Sequence, residues 1–222
     1  MPMPEPRYQT IIFDLDGTLL DTSKGIKNSV RHAEQMMGFE PVPEPQLIAF
    51  FGPPPKKVYQ ALHGLNDDKA LEAARHHREY AARKGIYEAF AFEDIENLLI
   101  RLQNEGRKLA IATLKREDIA RAILAHFKLD QYFDAIVGQN FAEDLTKTQT
   151  INLAIEQLQH SDRARILMVG DSEGDYKGAL EAGIDFLGVT FGFGFEPEAS
   201  QTHPDLMLVS TVQDLGDYFD HH

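Results

Sequence analysis

Short runs of Ile, Val, Leu, Ala and Phe recur at Ile11 to Phe13, Leu109 to Ala112, Ala135 to Val137, Ile166 to Val169, Phe186 to Val189 and Leu206 to Val209. These continuous runs, rich in Ile, Val and Leu, are the pattern of buried strands. Between them the apolar period lengthens. Ile95, Leu98, Leu99 and Leu102 precede Gly106, and Ile119, Ile123, Leu124 and Phe127 precede Leu129, which is helical spacing. Strands that alternate with helices predict an α/β fold, a parallel sheet with helices on both faces. Ligands of such sheets bind beyond the carboxyl ends of the strands, where Asp14, Thr113 and Asp171 fall.

One stretch breaks the alternation. From Ser23 to about Ala89 there is no comparable strand run, and the pattern is helical at Ile26, Val30 and Ala33, at Val58, Ala61 and Leu62, and from Lys69 to Arg83. A small all-helical cap inserted after the first strand is expected over residues 22–90, with the catalytic core formed by residues 1–21 and 91–222. Pro41, Pro43 and Pro45 break the first helical hairpin, and Gly52-Pro53-Pro54-Pro55 makes a stiff turn before Lys56 and Lys57. The two crossings, near Leu20 to Ser23 and near Glu88 to Glu93, are the candidate hinges.

Composition narrows the chemistry. With 222 residues and 43% hydrophobic content the chain can form one large domain or a core with a smaller companion. It contains no cysteine, so disulfides, thiolate metal sites and a Cys nucleophile are excluded and any metal must sit on oxygen or histidine. The N-terminal Met1-Pro-Met-Pro-Glu-Pro lacks a basic start and an apolar core, and no apolar run approaches the roughly 20 residues of a membrane span, so a cytoplasmic location is the expectation. A net charge of −13 argues against binding a nucleic acid polymer or a membrane surface. The acids are unevenly spread: Thr22 to Phe90 holds ten Lys or Arg against eight Asp or Glu, while the remainder holds twelve against twenty-seven. A cap over an acidic site can supply cations to an anionic substrate, or its charges are simply a solvated helical surface.

The most informative residues are Asp14 and Asp16, after the apolar run Thr10-Ile11-Ile12-Phe13 and before Gly17-Thr18. Side chains two apart on a strand project to one side, so both acids can face one crevice where the strand gives way to a turn. Two crowded carboxylates call for a hard divalent cation, most plausibly magnesium, which would in turn draw in a phosphate. A simple turn needs only one such Asp and no strand before it. A calcium loop counted from Asp14 has Gly17 at its fourth position instead of its sixth and Gly25 where the closing Glu belongs, so that reading fails.

Three further polar groups follow strands or open helices: Thr113 after Leu109-Ala-Ile-Ala, Lys147 within Asp144-Leu-Thr-Lys-Thr, and Gly170-Asp171-Ser172-Glu173-Gly174-Asp175 after Ile166-Leu-Met-Val. In this order and spacing they resemble the four motifs of the haloacid dehalogenase-like hydrolase superfamily over nearly the whole chain, with Asp14 to Thr22 as the strongest match. The resemblance implies a Rossmann-like core and an all-helical cap. It also implies roles. Asp14 would be the nucleophile that forms an aspartyl-phosphate, and Asp16 the acid and base, with its backbone carbonyl on the metal. Asp171 would complete a Mg2+ site with Asp14 and Asp16, while Asp175 and Ser172 would stand behind it, Asp175 orienting metal-bound water or Lys147. Thr113, the backbone N–H of Leu114, and Lys147 would hold the phosphoryl oxygens.

The chain departs from the family pattern in three places. Leu114 replaces a Ser or Asn, Thr148 and Thr150 occupy customary proline positions, so the helix start after Lys147 is expected to be less rigidly set, and Phe90-Ala-Phe-Glu-Asp lacks a Pro-Gly pair. Within the superfamily the chain looks most like phosphoglycolate phosphatases and 5'-nucleotidase-like proteins. Phe51-Gly52-Pro53-Pro54 matches the cap loop that faces the active site there, which makes Gly52, Lys56 and Lys57 candidate substrate contacts. Phe191-Gly-Phe-Gly-Phe-Glu196 resembles a nucleotidase-like segment whose aromatics either stack on a base or pack onto the core. The expected activity is Mg2+-dependent hydrolysis of a small phosphorylated metabolite, phosphoglycolate or a nucleoside 5'-monophosphate, by a monomer or homodimer. A dehalogenase would need no Asp16, a phosphonate hydrolase would use a cap lysine such as Lys56 or Lys57, and a sugar phosphomutase would hold its phosphoenzyme for return to substrate. A catalytically silent nucleotide-binding module is the alternative from another class.

Overall fold

The computed structural model describes residues 6–142, 144–196 and 206–222. Six parallel strands form one sheet: β1 Thr10–Phe13, β4 Lys108–Arg116, β5 Ala135–Gln139, β6 Ile166–Gly170, β7 Asp185–Val189 and β8 Leu208–Val209, in the order β5-β4-β1-β6-β7-β8. The sixth strand is shorter than the apolar run Leu206 to Val209 suggests.

Alternation sorts each strand between two cores. Ile11, Phe13, Leu109, Ile111, Leu167 and Val169 face one cluster, while Ile12, Ala110, Ala112, Ile166 and Met168 face the other. Helices α4 Ile95–Asn104, α5 Glu117–His126 and α8 Val212–Asp220 cover the first face with Leu98, Leu99, Ile119, Ile123, Leu215 and Phe219. Helices α6 Lys147–Leu158 and α7 Glu173–Ala182 cover the second with Ile151, Ala154, Ile155, Ala179 and Ala182. Burial on both faces explains why these strands read as unbroken apolar runs. Leu99→Ala in the first layer or Ile151→Ala in the second should remove roughly 2–5 kcal/mol.

Between β1 and the sheet's second strand in sequence lie α1 Ser23–Met37, a 3₁₀ turn Glu44–Phe50, α2 Pro55–His63 and α3 Asp67–Arg83. They enclose a third core built from Ile26, Val30, Leu47, Phe50, Val58, Tyr59, Ala70 and Ala74. Buried Glu34 fixes the proline-rich segment onto α1, since its Oε1 accepts the Val42 N–H at 2.8 Å and its Oε2 meets Arg31 at 2.8 Å. The chain enters and leaves this insert through a two-stranded antiparallel ribbon, β2 Leu20–Asp21 against β3 Phe90–Ala91.

The site follows from the strand order. β1 lies between β4 and β6, which leave it in opposite directions across the sheet, so a crevice opens at the carboxyl end of β1. No helix among the described residues is long and apolar enough to cross a membrane.

Candidate active site

Asp14 directly follows β1, with its N–H donating to the Val169 carbonyl of β6 at 2.9 Å. Lys147, at the start of α6, reaches it from the opposite wall: Nζ lies 2.5 Å from Asp14 Oδ1 and 2.6 Å from Asp175 Oδ1, and all three residues are buried. Two local devices aim this lysine. Thr146 and Gln149 form a reciprocal capping box that fixes the first turn of α6, so the helix start is set without the proline whose absence predicted a looser one. Gly178 on α7 leaves room for the lysine stem, because a Cβ there would stand 2.7 Å from Lys147 Cγ.

Asp171 follows β6, and its Oδ2 accepts the Phe193 N–H at 2.7 Å. Gly17 is required beside it: its φ is +81°, and a Cβ would come within 2.1 Å of Asp171 Oδ2. Ser172 caps α7, where Asp175 Oδ2 accepts from both its N–H and its hydroxyl, at 3.0 and 2.7 Å. Carboxylate oxygens of Asp14, Asp171 and Asp175 lie within 4.8 Å of one another. The structure thus brings Asp175 into the carboxylate cluster in place of the Asp16 side chain, while its other oxygen serves the α7 cap.

The electrostatics of this cluster call for a cation. Burial pushes the Asp14 carboxyl up to about 7, against the pull of Lys147 and with the charges of Asp175 and Asp16 adding to the rise. Burial likewise pushes Asp171 up to about 8, helped by Asp175 and Asp14. Burial pulls the Lys147 ammonium down, but the carboxylates of Asp14 and Asp175 outweigh it and hold it above its ordinary value. One ammonium facing three buried carboxylates leaves negative charge uncompensated. An all-oxygen donor set with that charge fits a hard divalent cation, held by Asp14 and Asp171 with Asp175 beside them.

Asp16 is held differently. Its Oδ1 accepts the Thr22 hydroxyl at 2.6 Å and lies 2.9 Å from Lys115 Nζ, so one carboxylate oxygen is engaged outside the cluster of Asp14, Asp171 and Asp175, although Asp16 lines the same cavity. Thr22 precedes α1 yet makes no side-chain cap bond, its hydroxyl being spent on Asp16. Thr22 closes the Asp14 to Thr22 motif without an assigned role there, and Lys115 lies outside the motifs. The signal for Lys115 was present: it stands two residues after Thr113 and so shares its side of the strand. β4 does not stop at Ala112 but runs on to Arg116 through a register shift that leaves residues 113–115 outside the β5 ladder. Thr113 is buried there, its Oγ1 accepting the Lys115 N–H at 3.2 Å, and Thr113 and Leu114 both line the site.

A cavity of about 420 Å³ covers these groups, walled on the core side by Asp14, Asp16, Thr113, Lys147 and Asp171 and on the insert side by Gly52, Pro53, Pro54 and Lys57. Lys56 is not in its wall. It pairs with Asp67 at 2.8 Å on the exposed surface, because consecutive helix residues point about 100° apart and only one of two adjacent lysines can face the cavity. Phe51 of the insert meets Phe193 of the core at a ring distance of 4.7 Å. The flanking aromatics pack inward, Phe191 on Phe92 at 4.9 Å and Phe195 on Phe186 at 6.1 Å, so of the three only Phe193 faces the cavity.

Fold and site together define a hydrolase of the kind the motifs suggest, and residues 11–189 match the family model described as haloacid dehalogenase-like hydrolase. The chain belongs to that family. A 5'-nucleotidase of Pseudomonas aeruginosa is 37% identical to it over 89% of this chain and 90% of its own length. Tyrosine-protein kinase PtkA of Mycobacterium tuberculosis is 38% identical over 86% of this chain, which spans 65% of that protein, and a phosphoglycolate phosphatase of Mesorhizobium japonicum is 31% identical over 92% and 95%. Among solved structures, that of a predicted phosphatase from Clostridium acetobutylicum superimposes with a TM-score of 0.89 at 34% identity, covering 97% of this chain and 99% of the other.

Proposed function

We propose that this chain is a magnesium-dependent phosphomonoester hydrolase working through an aspartyl-phosphate on Asp14. The observation that carries the reading is the contact of Asp14 with Lys147 inside a buried carboxylate cluster that opens to a covered cavity. Bound there, the divalent ion would neutralise charge shared between the cluster and the phosphoryl group. Lys147, Thr113 and the N–H of Leu114 hold the phosphoryl oxygens and direct phosphorus toward the free oxygen of Asp14. Asp14 forms a bond to phosphorus as the bond to the leaving oxygen breaks, and Asp16 gives that oxygen its proton. Asp16 then takes a proton from water as the water attacks phosphorus, releasing inorganic phosphate and restoring the Asp14 carboxylate. Residues 22–90 act as the cap that excludes bulk water during these steps, turning on the β2 and β3 ribbon.

The substrate is a small phosphorylated metabolite, phosphoglycolate or a nucleoside 5'-monophosphate, and the enzyme acts as a monomer or homodimer. The names of the relatives support both substrates. The kinase name carried by one relative motivates a control, since a transferase would leave phosphate on an acceptor tyrosine instead of releasing it to water. Phosphate release from an aryl phosphate with and without magnesium tests the reading. Release that needs the ion and disappears in Asp14→Asn is expected; no release under either condition would defeat it.

A further inference from the structure

The bulge that carries Thr113 and Leu114 is held from outside the cavity. Across it the ladder between β4 and β5 passes from Ala112 opposite Val137 to Arg116 opposite Gln139, so residues 113–115 stand against Gly138 alone. Backbone groups two residues apart on a strand point the same way, and the Asp134 N–H donates to the Leu109 carbonyl of β4 at 2.8 Å. The Ile136 carbonyl and the Gly138 N–H therefore face β4 as well, where a continuous ladder would pair them. Instead they meet two side chains of α5. Arg121 Nη2 donates to the Ile136 carbonyl at 2.7 Å, and the Gly138 N–H donates to Glu117 Oε2 at 3.3 Å. The two side chains are themselves joined, Arg121 Nε donating to Glu117 Oε1 at 2.9 Å. Gly138 completes the seat: a Cβ there would come within 2.6 Å of both the Lys115 carbonyl oxygen and Glu117 Cα.

We infer that Glu117 and Arg121 are positioning residues for phosphoryl transfer: by taking up the two β5 backbone groups that the register shift turns away from the ladder, they fix the bulge that presents the Thr113 hydroxyl and the Leu114 N–H. The inference rests on the hydrolase reading above and adds to it two residues that touch no substrate, since neither lines the cavity. An ion pair four residues apart on a helix, with side chains 50% and 39% exposed, contributes little to stability by itself. Its geometry is what matters here, a carboxylate and a guanidinium spaced to meet a donor and an acceptor two residues apart on β5. The bulge is thus held at both ends, at Ala112 by the ladder and at Glu117 by the bond to Gly138. Lys115 within it pairs Asp16 at 2.9 Å, so the same brace fixes the proton-transfer group together with the phosphoryl ligands. Every phosphomonoester presents the same phosphoryl group, and loosening the bulge therefore slows all substrates alike.

Arg121→Met keeps the aliphatic stem and loses the bond to Ile136. For each of an aryl phosphate, 2-phosphoglycolate and adenosine 5'-monophosphate that the wild-type chain hydrolyses, it should lower kcat by one common factor, about tenfold, and Arg121→Lys should restore part of it. Hydrogen exchange read by mass spectrometry gives an arm free of turnover: amides of residues 113–117 should exchange about tenfold faster in Arg121→Met and in Glu117→Ala, with β1 and β6 unchanged. Glu117→Gln, which keeps an acceptor for the Gly138 N–H, should fall between Glu117→Ala and the wild type. A kcat that neither Arg121→Met nor Glu117→Ala moves, a loss confined to one substrate, or exchange that rises equally in β1 and β6 would overturn the inference. If the wild-type chain releases no phosphate from any of the three, the hydrolase reading fails by itself. Calorimetric binding of inorganic phosphate in magnesium then decides, weaker binding by Arg121→Met supporting the brace and unchanged binding overturning it.

Discussion

The two walls of the main cavity are built by different rules. The core wall consists of strand ends and helix caps: Asp14 follows β1, Asp171 follows β6, and Lys147 and Asp175 sit in the first turns of capped helices. Each is buried and fixed by backbone that the sheet positions. The insert wall consists of the turn Phe51 to Pro54 and one lysine from the start of α2, whose contact with the core wall is the ring pair Phe51 and Phe193, while the insert's base is tied to the core by the β2 and β3 ribbon, by Tyr87 against His126 and by Ile86 and Ala89. The proposed function thus puts the reaction chemistry where the backbone has least freedom, and selection of the alcohol half where a few side chains can change without disturbing the sheet.

Substitution should separate the walls in order of effect. Asp14→Asn removes the nucleophile and should lower kcat on the order of 10⁴-fold with any phosphomonoester, measured as phosphate release. Lys147→Met keeps the stem over Gly178 but loses the ammonium, and should cost on the order of 10²-fold to 10³-fold in kcat. Magnesium should raise the melting temperature, contributing about 2.7 kcal/mol at 100 times its dissociation constant, and Asp171→Asn should abolish that shift. On the insert wall, Phe51→Ala or Lys57→Ala should change KM several-fold while kcat falls little, and Lys56→Ala, which breaks only a surface pair with Asp67, should leave both constants unchanged. An equal effect of Lys56→Ala and Lys57→Ala would erase the distinction drawn between them.

Acid should act on the insert as well. His77 is held neutral in the folded protein, with its pKa lowered by burial to about 3 from 6.5. In the unfolded chain it takes up a proton near 6.5, so the unfolded state binds more protons and stability falls as pH drops from 6.5 toward 3. His77→Gln, which can keep a hydrogen bond to the Tyr59 hydroxyl, should flatten this dependence in denaturant titrations.

Legibility followed the same division. Period and burial made the six strands and the helices on both faces readable, because strands such as Ile11 to Phe13 are covered on both sides and carry no polar interruption. Asp14 and Asp171 are legible because each directly follows an apolar strand run, and Lys147 because it opens a segment of helical period. Asp175 stands on Lys147, as the motif implies, but its approach to Asp14 and Asp171 depends on how α7 packs against α6 and has no local signal. The Lys115 to Asp16 pair is hard to read from sequence because the apolar run ends at Ala112 while β4 continues to Arg116 through a register shift. Lys56 and Lys57 could not be told apart without the orientation of α2.

The central claim is that Asp14 carries the phosphoryl group, and Asp16→Asn tests it directly by removing the base that activates water. An aryl phosphate, whose leaving group needs little protonation, is mixed with this variant and magnesium, quenched in acid and examined by peptide mass spectrometry. The account predicts a phosphate adduct on the peptide containing Asp14, absent from Asp14→Asn combined with Asp16→Asn. An adduct on another residue, or phosphate release by Asp14→Asn at the wild-type rate, would contradict it.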